Sequence, residues 1–72
     1  MNQVYFEDKT FEKVNFKDNI FEKGEYEYCN FVNCDLSDCD LSDCKFSDCV
    51  FFDCNLSLAK LSQTAFRDIK FK

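Results

Sequence analysis

Cys34-Asp35-Leu36-Ser37-Asp38, Cys39-Asp40-Leu41-Ser42-Asp43 and Cys44-Lys45-Phe46-Ser47-Asp48 are three consecutive units of one pattern. Each holds a small residue, then a polar or charged one, then a large apolar one, then two polar ones. Read outward at the same spacing, large residues stand at Phe6, Phe11, Phe16, Phe21, Tyr26, Phe31, Leu36, Leu41, Phe46, Phe51, Leu56, Leu61, Phe66 and Phe71. They run end to end without a slip, so the period of five is the first fact about the fold.

A period of five suits neither regular element. In an α-helix, five steps place successive members about 140° apart, so the set circles the helix. In a flat strand an odd spacing sends successive members to opposite faces. The apolar set converges only if the chain bends once per pentad, always in the same sense. Such a chain is a coil with its large residues on the axis. Its turns stack at the strand spacing of about 4.8 Å through backbone hydrogen bonds.

The position two residues earlier carries Val4, Lys9, Val14, Asn19, Gly24, Cys29, Cys34, Cys39, Cys44, Cys49, Cys54, Ala59, Thr64 and Ile69. Residues two apart on an extended segment share a face, so this mostly small set also points inward. The remaining positions hold nearly all the charge. Lys9 and Asn19 sit where a small apolar residue belongs and Gly24 leaves a hole, so the first turn is expected to be the frayed or capping end. The last turn carries no such irregularity and stops at Phe71-Lys72. Either the chain continues in a longer repeat protein or another chain covers that end.

Composition narrows function. The 72 residues carry 9 Lys plus Arg against 14 Asp plus Glu, a net charge of −5. Acidity disfavours direct nucleic-acid binding. His is absent, which removes the usual general base and the commonest zinc ligand. There is no nucleophile–base pair and no phosphate-cradling Gly loop, so an enzyme is not expected. Neither a signal peptide nor a membrane-spanning segment is expected, since the first residues lack a basic region followed by an apolar run and no stretch reaches spanning length. At this length only about 60% of the unfolded surface is buried, so a single domain over 1–72 has to be economical.

The quoted pentads resemble the pentapeptide-repeat family, whose pattern is a small residue, Asp or Asn, Leu or Phe, then two polar residues. The resemblance covers the whole chain. It implies an all-β fold, a right-handed quadrilateral β-helix with four pentads per coil and about three and a half coils here. Residues 20 apart then stack: Phe6 under Tyr26, Phe46 and Phe66, and Phe11 under Phe31, Phe51 and Phe71.

Six cysteines in so short a chain suggest a disulfide framework, but all six occupy the inward slot on consecutive pentads, Cys29 to Cys54. The reading is of small buried hydrophobes with free thiols, in keeping with a reducing cytoplasm. Cys29 with Cys49 and Cys34 with Cys54 are the stacked pairs, with side chains running parallel rather than meeting. Metal binding would need four converging ligands, and these are spread round four sides. No metal or cofactor is expected.

Charge is segregated along the chain. Residues 25–53 hold eight carboxylates against Lys45, a net of −7; residues 1–24 stand at −1 and residues 54–72 at +3. Asp35, Asp38, Asp40, Asp43, Asp48 and Asp53 form the candidate acidic belt. Asp38, Asp43, Asp48 and Asp53 fall on four successive sides and face apart, which argues against a calcium cage or a carboxylate pair. The belt either keeps the coil soluble or imitates DNA phosphates. The second reading follows from a further resemblance: Phe11-Glu12-Lys13-Val14-Asn15-Phe16 and the stretch 29–34 are similar to the openings of Qnr-type quinolone-resistance proteins. Those are rods of this fold that resemble DNA and engage DNA gyrase, a type II topoisomerase. Their projecting loops have no counterpart in this unbroken register. About 17 Å of rod would match only about five base pairs.

Phe52 and Tyr28 are expected to point outward, and Val50 and Phe52, flanking Phe51, to make a small exposed apolar spot. Leu61, Phe66 and Phe71 are the candidate self-association end: an apolar interior behind an unpaired β edge is a template for another chain. A homodimer or an end-to-end oligomer is expected. Two function classes therefore stand side by side, an interaction module and a self-assembling β-helix segment.

Overall fold

The computed structural model describes residues 4–72. Eight short strands follow one another: β1 (Val4–Glu7), β2 (Thr10–Glu12), β3 (Gly24–Glu27), β4 (Asn30–Val32), β5 (Lys45–Ser47), β6 (Val50–Phe52), β7 (Ala65–Arg67) and β8 (Lys70–Phe71). They alternate between two parallel sheets, β1-β3-β5-β7 and β2-β4-β6-β8. Pairing joins residues 20 apart: Val4 with Gly24, Phe31 with Phe51, Phe46 with Phe66. The other two sides are joined by single bridges, Asn15 to Asp35 to Asn55 and Asp40 to Lys60. The chain is a right-handed quadrilateral β-helix, as its pentads predict. We number the sides 1 to 4 in chain order from β1.

Each bend is made by the residue two after the central one. Eleven non-glycine residues there have positive φ, among them Asp8, Asn33, Asp38, Asp43, Asp48, Asp53 and Asp68. Left-handed backbone is costly for most L-residues and best tolerated by Asn and Asp. The bend that brings successive large residues to one axis thus accounts for much of the Asp content.

Inside, the rings form two stacks. Phe6, Tyr26, Phe46 and Phe66 follow at centroid separations of 5.0, 5.2 and 5.4 Å. Phe11, Phe31, Phe51 and Phe71 follow at 4.9, 4.8 and 5.4 Å. Leu36 and Leu41 fill the other two sides of the second coil. The six cysteines are free thiols. Five are buried; Cys54 is only half-buried, which corrects the expectation that all six lie inside, because it belongs to the less covered third coil. Most thiols reach one coil back to a carbonyl: Cys34 Sγ donates to Phe11 O at 3.2 Å, Cys49 Sγ to Tyr26 O at 3.3 Å and Cys54 Sγ to Phe31 O at 3.1 Å. Thr64 Oγ1 makes the same bond to Leu41 O at 2.7 Å. Five of the six cysteines and Thr64 thus use the inward slot as donors, whereas Val14, Ala59 and Ile69 fill it with apolar volume alone.

The first coil departs from the pattern, though not throughout. Lys9 is exposed, and its carbonyl still accepts from Asn30 N at 2.8 Å. Gly24 leaves no hole. It is buried, and a Cβ there would collide with the Val4 carbonyl, so glycine allows a close coil-to-coil approach. Asn19 is the true break. An amide in the inward slot would be buried without partners, so the chain turns it out. Asn19 N and Nδ2 both donate to Asn15 O, at 3.1 and 2.9 Å, closing an α-turn over 15–19 in place of a regular side.

Candidate functional site

The six belt residues divide into two groups. Asp35 and Asp40 each stand just before a central Leu and cap a turn. Asp35 Oδ1 accepts from Ser37 N at 3.0 Å and Ser37 Oγ at 2.6 Å, and Asp40 Oδ1 does the same with Ser42 at 3.0 and 2.6 Å. These bonds favour the ionised forms: the Ser37 hydroxyl and backbone hold Asp35 low, and the Ser42 hydroxyl and backbone, with Lys23, hold Asp40 well below the usual carboxylate range. One coil on, Asn55 makes the same pair of bonds to Ser57, again at 3.0 and 2.6 Å. The turn needs the oxygen and not the charge. Asp38, Asp43, Asp48 and Asp53 occupy four successive corners at φ of 59, 64, 51 and 53° and are exposed. The belt encircles the rod and does not gather on one side.

The topology does gather another set of acids. Side 1 aligns Glu7 with Glu27 and Tyr5 with Glu25 across β1 and β3. Like charges directly opposite on adjacent strands are destabilising. Tyr5 Oη donates to Glu27 Oε1 at 2.7 Å, which raises the Tyr5 pKa. The adjoining corner column adds Asp8, Asp48 and Asp68, with Tyr28 between them. An acidic flank thus runs along side 1 and its corner. Farther along side 1, Lys45 and Arg67 reverse the sign. Residues 1–24 look nearly neutral in sequence, so the grouping of Glu7 and Asp8 with Glu25, Glu27 and Asp48 escaped the sequence reading. A 20-residue stacking map of the outward positions would have found it.

The apolar candidates are placed as their register predicts. Phe52 is 42% exposed and pairs in register with Val32, while Tyr28 stands at a corner with φ 54°. At the C-terminal end Leu61, Phe66 and Phe71 are exposed, Phe71 by 59%. Phe66 and Phe71 remain stacked on Phe46 and Phe51 below. These three share one end of the rod, away from the Glu7–Glu27 pair of coils one and two, although Asp68 at the flank's corner lies in the same last coil. Among the described residues, no group of three or more acidic or cysteine side chains is placed to hold a metal ion, and no helix is long and apolar enough to cross a membrane.

A family model for pentapeptide repeats matches eight copies over residues 29–68. The chain belongs to the pentapeptide-repeat family. Two solved structures of QnrB1, described as a plasmid-mediated fluoroquinolone resistance protein, superpose closely. A trypsin-treated variant gives a TM-score of 0.82 and the full-length protein 0.81, both at 29% identity over 92% of this chain. The chain spans about a third of those proteins, 35% and 34% of their lengths. No match is found among curated protein sequences.

Proposed function

We propose that this pentapeptide-repeat chain is a non-enzymatic interaction module working through its acidic flank, as a Qnr-like DNA mimic that engages a type II topoisomerase. The observation that carries the reading is the Glu7–Glu27 pairing beside Asp8, Asp48 and Asp68. Turn chemistry explains Asp at the corners, and Tyr5 gives Glu27 one hydrogen bond, but no turn or bend calls for two glutamates facing each other on the outside of side 1. Two carboxylate pairs, Glu7 with Glu27 and Asp48 with Asp68, each one coil of about 4.8 Å apart, suit a basic groove that normally receives phosphates. The likeness to QnrB1 supports the choice of partner.

The test is gyrase supercoiling with and without a quinolone. Added wild-type chain should protect the reaction or inhibit it. Glu7→Lys with Glu27→Lys should abolish the effect, and Asp38→Lys with Asp43→Lys, on two other corners, should weaken it less. Binding should fall as salt rises, because exposed charges are screened over about 8–10 Å. No binding at low salt, or salt-independent binding, would return the flank to a solubility role.

A second reading rests on Leu61, Phe66 and Phe71: the rod end is a self-association surface that closes by two-fold stacking. Sedimentation with Phe71→Lys separates the two readings. That substitution should abolish concentration-dependent association and leave the gyrase effect intact.

A further inference from the structure

On every regular side, three backbone bonds join consecutive coils. Side 4 of the second and third coils shows them: Lys60 N to Cys39 O at 2.8 Å, Leu41 N to Lys60 O at 2.9 Å and Asp43 N to Ser62 O at 3.0 Å. The equivalents between the first and second coils would join Asp40 N to Asn19 O, Phe21 N to Asp40 O and Lys23 N to Ser42 O. Among the described residues none of these forms. The preceding rung is lost as well, because Asp18 N turns to Asn15 O at 3.2 Å and leaves Ser37 O. Three rungs of side 4 and the last rung of side 3 are open between these two coils, which are paired through the rest of sides 1 to 3. Ser37 O, Asp40 N, Asp40 O and Ser42 O therefore keep their ladder positions with no backbone partner.

The gap is a cleft of about 510 Å³, with Phe16, Phe21 and Cys39 among its walls and Ile20, 91% exposed, at its lip. Two lysines clasp it. Lys17 Nζ lies 3.7 Å from Asp38, and Lys23 Nζ lies 3.0 Å from Asp40 and 3.1 Å from Ser42 Oγ. Both ion pairs are exposed, so they are weak and exchangeable.

We propose that this seam is a peptide-binding site, taking an extended acidic segment of another protein as an added strand on side 4. The occupant follows from what the seam lacks. On side 4 a donor and two acceptors, Asp40 N, Asp40 O and Ser42 O, spaced as in a parallel ladder, are matched by the C=O and N–H groups of an extended backbone. The inward position of the guest takes the slot that Asn19 vacates, below Cys39, and admits only a small side chain. Its outward neighbours meet Lys17 and Lys23, which favour Asp or Glu in exchange for the intramolecular pairs. The guest pattern is acidic–small–acidic. The site is separate from the acidic flank of side 1 and does not depend on the gyrase reading.

The probe is a fluorescein-labelled, end-blocked peptide Glu-Asp-Ala-Glu-Leu, followed by anisotropy and by amide shifts of the protein over 37–42. Saturable binding with shifts confined to 37–42 and 17–23 is expected. Methylating the backbone nitrogens of the peptide, or replacing its Ala by Trp, should weaken binding by about tenfold or more, the loss of one good hydrogen bond or of the fit. Lys17→Glu with Lys23→Glu should do the same. Asn19→Ala with Ile20→Asp restores a regular pentad, so it should close the seam, raise the melting temperature and abolish binding. A peptide that binds the seam-closing variant as tightly as wild type would overturn the proposal. So would equal binding of the methylated peptide, or no binding at millimolar concentration.

Discussion

Replacing Phe31 by Ala should cost far more than replacing Phe52, although the two lie 21 residues apart in sequence, on adjoining strands of one sheet. Phe31 is 0% exposed. It lies face to face with Phe11 at 4.9 Å and Phe51 at 4.8 Å, and edge-on to Phe46 at 6.1 Å. A buried Phe→Ala change costs about 3–5 kcal/mol, and each lost aromatic pair adds about 0.5–1.5 kcal/mol beyond area. Phe31 therefore belongs at the upper end. A domain of this size holds only about 4–11 kcal/mol in total, so the variant forfeits half of its stability or all of it. Phe52, outward and 42% exposed, loses little beyond its contact with Val32, about 1 kcal/mol or less. Denaturant midpoints from far-ultraviolet circular dichroism, with unchanged slopes, give the comparison. Phe31→Leu keeps most of the volume and serves if the Ala variant does not fold. Equal losses at the two positions, or a larger loss at Phe52, would place Phe52 on the axis and refute the register.

Stability should be flat through neutral pH and fall in alkali. Burial raises the thiol pKa of Cys29, Cys39, Cys44 and Cys54 and pushes Cys49 up to about 11. Unfolded thiols ionise near pH 8.5, so above that pH the unfolded chain releases protons that the folded chain keeps, and stability declines as pH rises toward 11. A midpoint that holds unchanged to pH 11 under reducing conditions would contradict burial of the thiols. Asp35→Asn should be nearly neutral for stability, because Asn55 already makes the same turn, whereas Asp35→Ala should lose about 1–2 kcal/mol with its two bonds to Ser37. Equal losses in the two variants would show that the charge, not the oxygen, holds the turn.

The architecture was legible because the constraint on it is one-dimensional. A large residue every five positions, with a small one two places earlier, leaves one way to bury both sets, and the stacks through Phe31 and Phe46 follow from adding 20. Gly24 was misread because a missing side chain looks like missing volume. Only the coil below shows that the Val4 carbonyl occupies that space. The role of Asn19 was half visible: an amide in an inward slot signals a departure, but the α-turn that relieves it depends on Asn15 lying four residues before.

The candidate surface was harder to read because acid in this chain has three physical origins that look alike in sequence. Asp at a corner relieves left-handed backbone, and Asp35 or Asp40 before the central Leu closes a turn. Only charge beyond those needs is free to signify a partner. Subtracting the first two accounts for Asp35 to Asp53, Asp48 of the flank included, and leaves Glu7, Glu12, Glu22, Glu25 and Glu27, which no turn and no bend requires; three of these five lie on side 1. The same subtraction isolates the seam. Lys17 and Lys23 lie where the coil has lost its ladder, and they bridge to Asp38 and Asp40, acids whose presence the fold already explains. On a solenoid whose repeat dictates most of its residues, function is to be sought where a residue goes beyond the repeat or where the repeat fails.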